Sequence, residues 1–342
     1  MRLTLATLSL AALSCASAPP VVPAPTGALL YAADGEGGDP TVHRVNADGT
    51  QDAALTVCTS AGFPGPADPR GELALVVCAS GMAEVAHLEQ LRLVPLAGGP
   101  AIDLGPPART VRNPSWAPDG GWIVFESDVA SFRDLYRVSR DGSELKRLTD
   151  EPAGNFEPSV DPTGSRLAFI SSRDGNAEVY TSGVDGSAPV RVTNDPADDM
   201  RPAWSPDGHT LAFLSMRGGA QRVWRVGADG LDPKPLVAAG VEVHTDLAWA
   251  PDGSAIAVTV APGPKQTRVD VVRLDGTVEA SFGAPDKVSY PAWSADSAWL
   301  ALSVDGKDGA DVVIATRDGK TRKRVTTAAG ADWLPRWLVA PK

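Results

Sequence analysis

From Gly27 onward the chain alternates apolar and polar positions in short runs, and each run stops at a turn built from Gly, Asp, Asn or Pro. The stretch from Asn155 to Thr193 shows the pattern. Pro158-Ser159-Val160 leads into the turn Asp161-Pro162-Thr163-Gly164, and Arg166-Leu167-Ala168-Phe169-Ile170 follows. Ser171 to Asn176 is turn chemistry, Glu178-Val179-Tyr180-Thr181 is the next run, Asp185-Gly186 reverses the chain, and Val190 to Thr193 closes the unit. Period-two alternation bounded by such clusters predicts antiparallel strands. In the turns, Pro presets φ at the second position and Gly follows where the chain reverses. Runs of helical periodicity are few, so helices are expected to be minor.

The unit recurs. Trp116-Ala117-Pro118-Asp119-Gly120, Trp204-Ser205-Pro206-Asp207-Gly208 and Trp249-Ala250-Pro251-Asp252-Gly253 share one phrase; looser copies begin at Ala67, Val160 and Trp293, and a last Trp337 follows. Successive anchors lie 49, 44, 44, 45, 44 and 44 residues apart. A period of about 40–50 residues with several strands per unit is the signature of a β-propeller. The expected fold is all-β: a seven-bladed propeller of four-stranded antiparallel blades. Six blades is the alternative, should Ala67-Asp68-Pro69-Arg70-Gly71 not mark a blade. The first unit starts at its second strand, near Gly27, and the last is only an innermost strand, Trp333 to Leu338. The C-terminal strand is therefore expected to join the N-terminal blade and close the ring, removing open sheet edges. Each anchor Trp is expected to wedge between neighbouring blades, because an indole buries a large apolar area.

Ahead of the repeats, residues 1–15 read as an export signal: Arg2, then an apolar run from Leu3 to Leu13 too short for a standard membrane span. Ala12-Leu13-Ser14-Cys15 resembles a bacterial lipoprotein processing box with its Leu displaced by one position, which would lipidate Cys15. Cleavage after Ala16-Ser17-Ala18 is the rival, and Pro19 disfavours it. Residues 16–26 form a Pro/Ala-rich tether, and the propeller spans 27–342. By either route the chain is exported, to the periplasm or, lipid-anchored, the outer membrane, with the anchor its only membrane contact. A net charge of −11 and a pI near 4.9 argue against a nucleic-acid partner. In an oxidising compartment Cys58 and Cys78 are candidates for a staple between adjacent blades; two buried free thiols are the alternative.

In a propeller, the loops that lead into the innermost strands open on one face around the central channel. Five places before each anchor stand Gly62, Val111, Asn155, Asp199, His244, Val288 and Asp332; three places before it stand Pro64, Asn113, Glu157, Arg201, Asp246, Tyr290 and Leu334. The polar members, Asn113, Asn155, Glu157, Asp199, Arg201, His244, Asp246, Tyr290 and Asp332, are the candidate ligand-binding residues of the channel mouth. Glu157, Asp199 and Asp246 are candidate ligands for a hard cation such as Ca²⁺, which takes several oxygens; solvated loop carboxylates are the plainer reading. Catalytic signals are poor. His43, His87, His209 and His244 are dispersed without metal-ligand spacing, and no Gly-x-Ser-x-Gly elbow is present. The turns at Ser171-Ser172-Arg173 and Ser215-Met216-Arg217 are expected to stabilise themselves rather than grip phosphate.

Phe169-Ile170-Ser171-Ser172-Arg173-Asp174-Gly175, Pro202-Ala203-Trp204-Ser205-Pro206-Asp207-Gly208 and Lys146-Arg147-Leu148-Thr149 resemble the repeats of TolB-like propellers over roughly residues 27–342. The resemblance implies the propeller and a cell-envelope setting, without the α/β domain that TolB carries ahead of its propeller. The expected function is non-enzymatic binding of a protein or peptide of the envelope by a monomer. The alternative is a metal-assisted lyase or hydrolase acting on a glycan or peptide at the channel mouth.

Overall fold

The alternating runs are strands, and they assemble into seven antiparallel sheets of four. The computed structural model describes residues 25–35, 38–55, 57–79, 88–236, 242–263, 266–283, 285–307, 309–327 and 330–339, with the backbone but not the side chains of 244–246. Among the described residues there is no helix. The export signal, Cys15, His87 and most of the tether lie outside them.

Blade 1 takes its innermost strand, Asp332–Trp337, from the C-terminal end of the chain and its other three, Ala28–Asp34, Pro40–Asn46 and Ala53–Leu55, from the N-terminal end. Leu29 pairs with Trp337 and Ala33 with Asp332, so the ring closes as the register at the two ends predicts. Blade 2 is a true blade, which makes the count seven and not six. Its innermost strand, Ala61–Pro64, stops three residues short of the Ala67 anchor. The prolines at positions 64 and 66 carry no N–H to continue the ladder. The other innermost strands are Val111–Trp116, Asn155–Val160, Asp199–Trp204, Glu242–Trp249 and Lys287–Trp293, in blades 3 to 7.

Second strands such as Arg166–Ser171 and Thr210–Ser215 are buried on both faces, because each blade is sandwiched between two others. Their Leu-Ala-Phe cores therefore read as continuous apolar runs. Indoles stitch the blades together. Trp116, Trp204, Trp249, Trp293 and Trp337 each donate Nε1–H to a carbonyl of the preceding blade's innermost strand or its exit: Pro66, Ser159, Ala203, Ala248 and Ala292, at 3.0–3.2 Å. The wedge is thus also a hydrogen-bond donor, which keeps its polar edge satisfied in the seam.

Blades 2 and 4 lack the Trp and use a buried carboxylate in the next position. Asp68 accepts from the amides of Arg70, Glu72 and Leu73 at 2.9–3.0 Å; Asp161 accepts from those of Ser165 and Arg166 at 2.8 and 2.9 Å. Ser205 and Ser294 do similar work in blades 5 and 7, through Oγ to the amides of Thr210 and Trp299. The Asp-Gly turns face the preceding blade closely. Gly142 has φ +83°, and a Cβ there would lie 2.9 Å from the Asp103 carbonyl. A disulfide joins Cys58, beyond the outer strand of blade 1, to Cys78 in the second strand of blade 2, with their Cα atoms 5.3 Å apart. It staples the two blades flanking the ring's N-terminal start.

Candidate functional site

Six of the seven innermost strands share a local break. Pairing with the second strand slips between Arg112 and Ser115, Phe156 and Ser159, Met200 and Ala203, Val243 and Leu247, Ser289 and Ala292, and opposite Leu30 and Ala32 at Trp333 and Arg336. Within the slip, Asn113, Glu157, Arg201, Tyr290 and Leu334 hold φ between +48° and +57°. Each precedes a proline. Pro cannot donate to the ladder, so pairing lapses there and the bulge turns the preceding side chain toward the axis. Left-handed backbone costs a non-glycine residue on the order of 1 kcal/mol, and such strain clusters at functional sites.

The bulges surround a channel cavity of about 450 Å³ lined by seven blades. Asn113, Glu157, Arg201 and Tyr290 line its wider tier. Two residues further along each strand, one place before the anchor, runs a second tier: Pro66, Ser115, Ser159, Ala203, Ala248, Ala292 and Arg336. Arg336 is the one charged member of a tier otherwise made of Ser, Ala and Pro, and its Nη1 donates to Pro335 O at 3.1 Å. A side opening of about 570 Å³ joins the channel at blade 2, where the innermost strand is short; Phe63, Val77, Arg112 and Arg336 line it.

Of the expected mouth residues, the structure brings Asn113, Glu157, Arg201 and Tyr290 together. Asn155, Asp199 and Asp332 start their strands on the same face, but their side chains are buried in the seams. Asn155 Nδ2 donates to Asp134 Oδ1 at 2.9 Å, and Arg173 donates to Asn155 Oδ1 at 3.1 Å. Asp199 takes Arg217 Nη2 at 2.7 Å, while its Oδ1 has no partner. Burial pushes its pKa up to about 6, against the pull of Ser215 and Arg217. Asp332 is likewise raised to about 6 by burial, against a hydrogen bond from Thr326, and its Oδ2 is unpartnered. Arg173 and Arg217 are therefore internal props of their turns. The side chains of His244 and Asp246 lie outside the described residues.

Glu157 is half-buried. Its Oε2 accepts the Arg201 amide at 2.6 Å, its own amide donates to Glu126 Oε2 at 2.9 Å, and burial raises its pKa. Glu157 and Asp199 thus answer to different neighbours. Among the described residues, no group of three His, Cys, Asp or Glu side chains could hold a metal ion; the Asp246 side chain, the third of the expected cation ligands, lies outside them.

Two features escape a position-by-position reading of the sequence. The Arg336 tier is visible once Pro-Ser-Trp, Pro-Ser-Val, Pro-Ala-Trp, Leu-Ala-Trp and Pro-Arg-Trp are stacked. The Arg-x-Thr phrases at Arg147, Arg191 and Arg324 pair with the third-strand acids Asp134, Glu178 and Asp311, and their Thr hydroxyls take the amides of Leu135, Val179 and Val312. These networks hold the mouth-side ends of the blades.

The family model described as TolB beta propeller domain matches residues 150–337. TolB from Acinetobacter baumannii superposes with a TM-score of 0.57 at 18% identity, covering 91% of this chain and 66% of that one. An oligogalacturonate lyase in complex with manganese superposes with a TM-score of 0.60 at 16% identity, covering 76% and 75%. An uncharacterized Agrobacterium fabrum protein is 39% identical over 46 residues, 14% of this chain and 16% of that protein. The chain thus matches less than two thirds of the length of this TolB and a small part of the curated relative. At these identities the structural likeness establishes the propeller alone.

Proposed function

Because the chain belongs to the TolB β-propeller domain family, we propose that it is a non-enzymatic, exported propeller that binds a protein or peptide partner in the cell envelope, monomeric and tethered by a lipid on Cys15. The observation that carries this reading is the ring of strained bulges. At least five blades spend backbone energy to turn Asn113, Glu157, Arg201, Tyr290 and Leu334 out of the ladder, and the first four line one shared cavity.

The test is site-specific photo-cross-linking in cells, with the reactive residue placed at Asn113 or Tyr290 and, as control, at the exposed outer-strand Val190. The reading expects one defined envelope partner captured from the mouth positions and not from the rim. Equal capture from both, or none from the mouth, overturns it. Turnover of a glycan or peptide panel by purified chain with Ca²⁺, Mn²⁺ or Zn²⁺ overturns the non-enzymatic part. Mass spectrometry of the exported chain, beside a Cys15→Ser variant, reads the anchor.

A further inference from the structure

Most charges around the mouth are committed. Asp199 pairs with Arg217, Arg112 with Glu89, and Glu157 accepts the Arg201 amide. The Arg201 side chain differs: it is exposed, lines the channel, and among the described residues makes no hydrogen bond or close ion pair, although its charge acts on the neighbouring Glu157 carboxylate and lowers its pKa against burial. In the next tier, Arg336 lines the same cavity from blade 1. Two guanidinium groups and one carboxylate, Glu157, thus line one cavity, which leaves it net positive in a chain whose net charge is −11. Pro114, Pro158, Pro202, Pro291, Ala203 and Ala292 form apolar faces of the wall, with Ser115 and Ser159 among them.

Resting on the binding role proposed above, we infer that the channel mouth selects an acidic peptide segment, with a carboxylate on Arg201 and apolar flanking side chains against the proline and alanine wall. Guanidinium is suited to such recognition because its fork of N–H donors matches a carboxylate's two oxygens. The wall argues for peptide over an acidic sugar. A uronate chain carries hydroxyls along its length that need partners, and prolines offer no N–H to them. Leu, Phe or Ala side chains beside an Asp or Glu need none, while the peptide's backbone N–H and C=O groups turn to Ser115, Ser159 and solvent.

The full-length chain is screened against a displayed library of random dodecapeptides, with an oligogalacturonate series run in parallel. Acidic peptides with apolar flanks should be enriched. Arg201→Glu should weaken them at least tenfold, Arg201→Lys should retain most of the binding, and raising salt should weaken it. Arg201 is exposed at the mouth, so these changes leave the core alone; a thermal melt matching wild type confirms it. Enriched peptides that are basic, or indifferent to Arg201→Glu, overturn the inference while leaving peptide binding intact. No enriched peptide at all, or binding of the uronates alone, overturns the peptide inference, while the wider binding role stands or falls on the cross-linking test.

Discussion

Removing the Arg140 side chain should cost the propeller about 3 kcal/mol at pH 7. Arg140 reaches from the third-strand end of blade 3 to Asp68 in the first turn of blade 2. Its Nη1 and Nη2 donate to the two carboxylate oxygens at 2.8 Å each; Nη2 also meets Glu72 at 2.8 Å, and the guanidinium lies 5.5 Å from the Trp116 ring. Asp68 has no exposed surface, so solvent cannot take over when the cation goes. Breaking a buried pair costs about 3–5 kcal/mol. The lower end applies because three backbone amides still serve the carboxylate. Although burial raises the Asp68 pKa, Arg140 and these amides hold it below the usual carboxylate range. A carboxyl with a depressed folded pKa gives stability that is present above about pH 4 and lost as pH falls through the folded value. The gap between wild type and Arg140→Ala should therefore be full at pH 7 and narrow toward pH 3. Urea unfolding followed by Trp fluorescence measures it, and Asp68→Asn with the double variant completes a cycle. A loss under about 1 kcal/mol, a gap that ignores pH, or strictly additive single losses would refute the clamp.

Three further outcomes follow from the same seams. Reduction of Cys58–Cys78, or Cys58→Ser with Cys78→Ser, should lower stability by about 3 kcal/mol for a 20-residue separation, read as a shift in urea midpoint with and without reductant. Trp249→Phe removes the indole donor to Ala203 O, costing about 1 kcal/mol; an unchanged melt would show that the indole nitrogen is idle. Asp332 has a folded pKa raised to about 6, so its ionisation penalises the fold above pH 6 and is relieved as pH falls toward 4. Asp332→Asn should therefore stabilise at pH 8, by up to about 3 kcal/mol, and do little at pH 4.5; the reverse order of effects would overturn the assignment.

How much was legible varies from residue to residue. The indole of Trp204 could be placed in a seam from its phrase alone, because the apolar demand of a blade interface is local and repeats every period. Its carbonyl partner, Ser159, could not, since the bond crosses between blades 45 residues apart. At the mouth, Asn113, Glu157, Arg201 and Tyr290 were found by counting back from the anchor. The same count placed Asp199 and Asp332 beside them, and the structure puts those two in the seams.

The sequence by itself determined the strand period, the number of repeats and the closure of the ring, because alternation, turn chemistry and the split of one blade between the two ends are properties of neighbouring residues. Only the tertiary structure decided which polar positions face the channel. Side-chain direction along the innermost strand is set by where the ladder breaks, and the bulge before each proline swings one residue to the axis while the strand's first residue stays locked among Arg-x-Thr, a third-strand acid and the next blade. That choice depends on pairing between strands, which no single repeat contains.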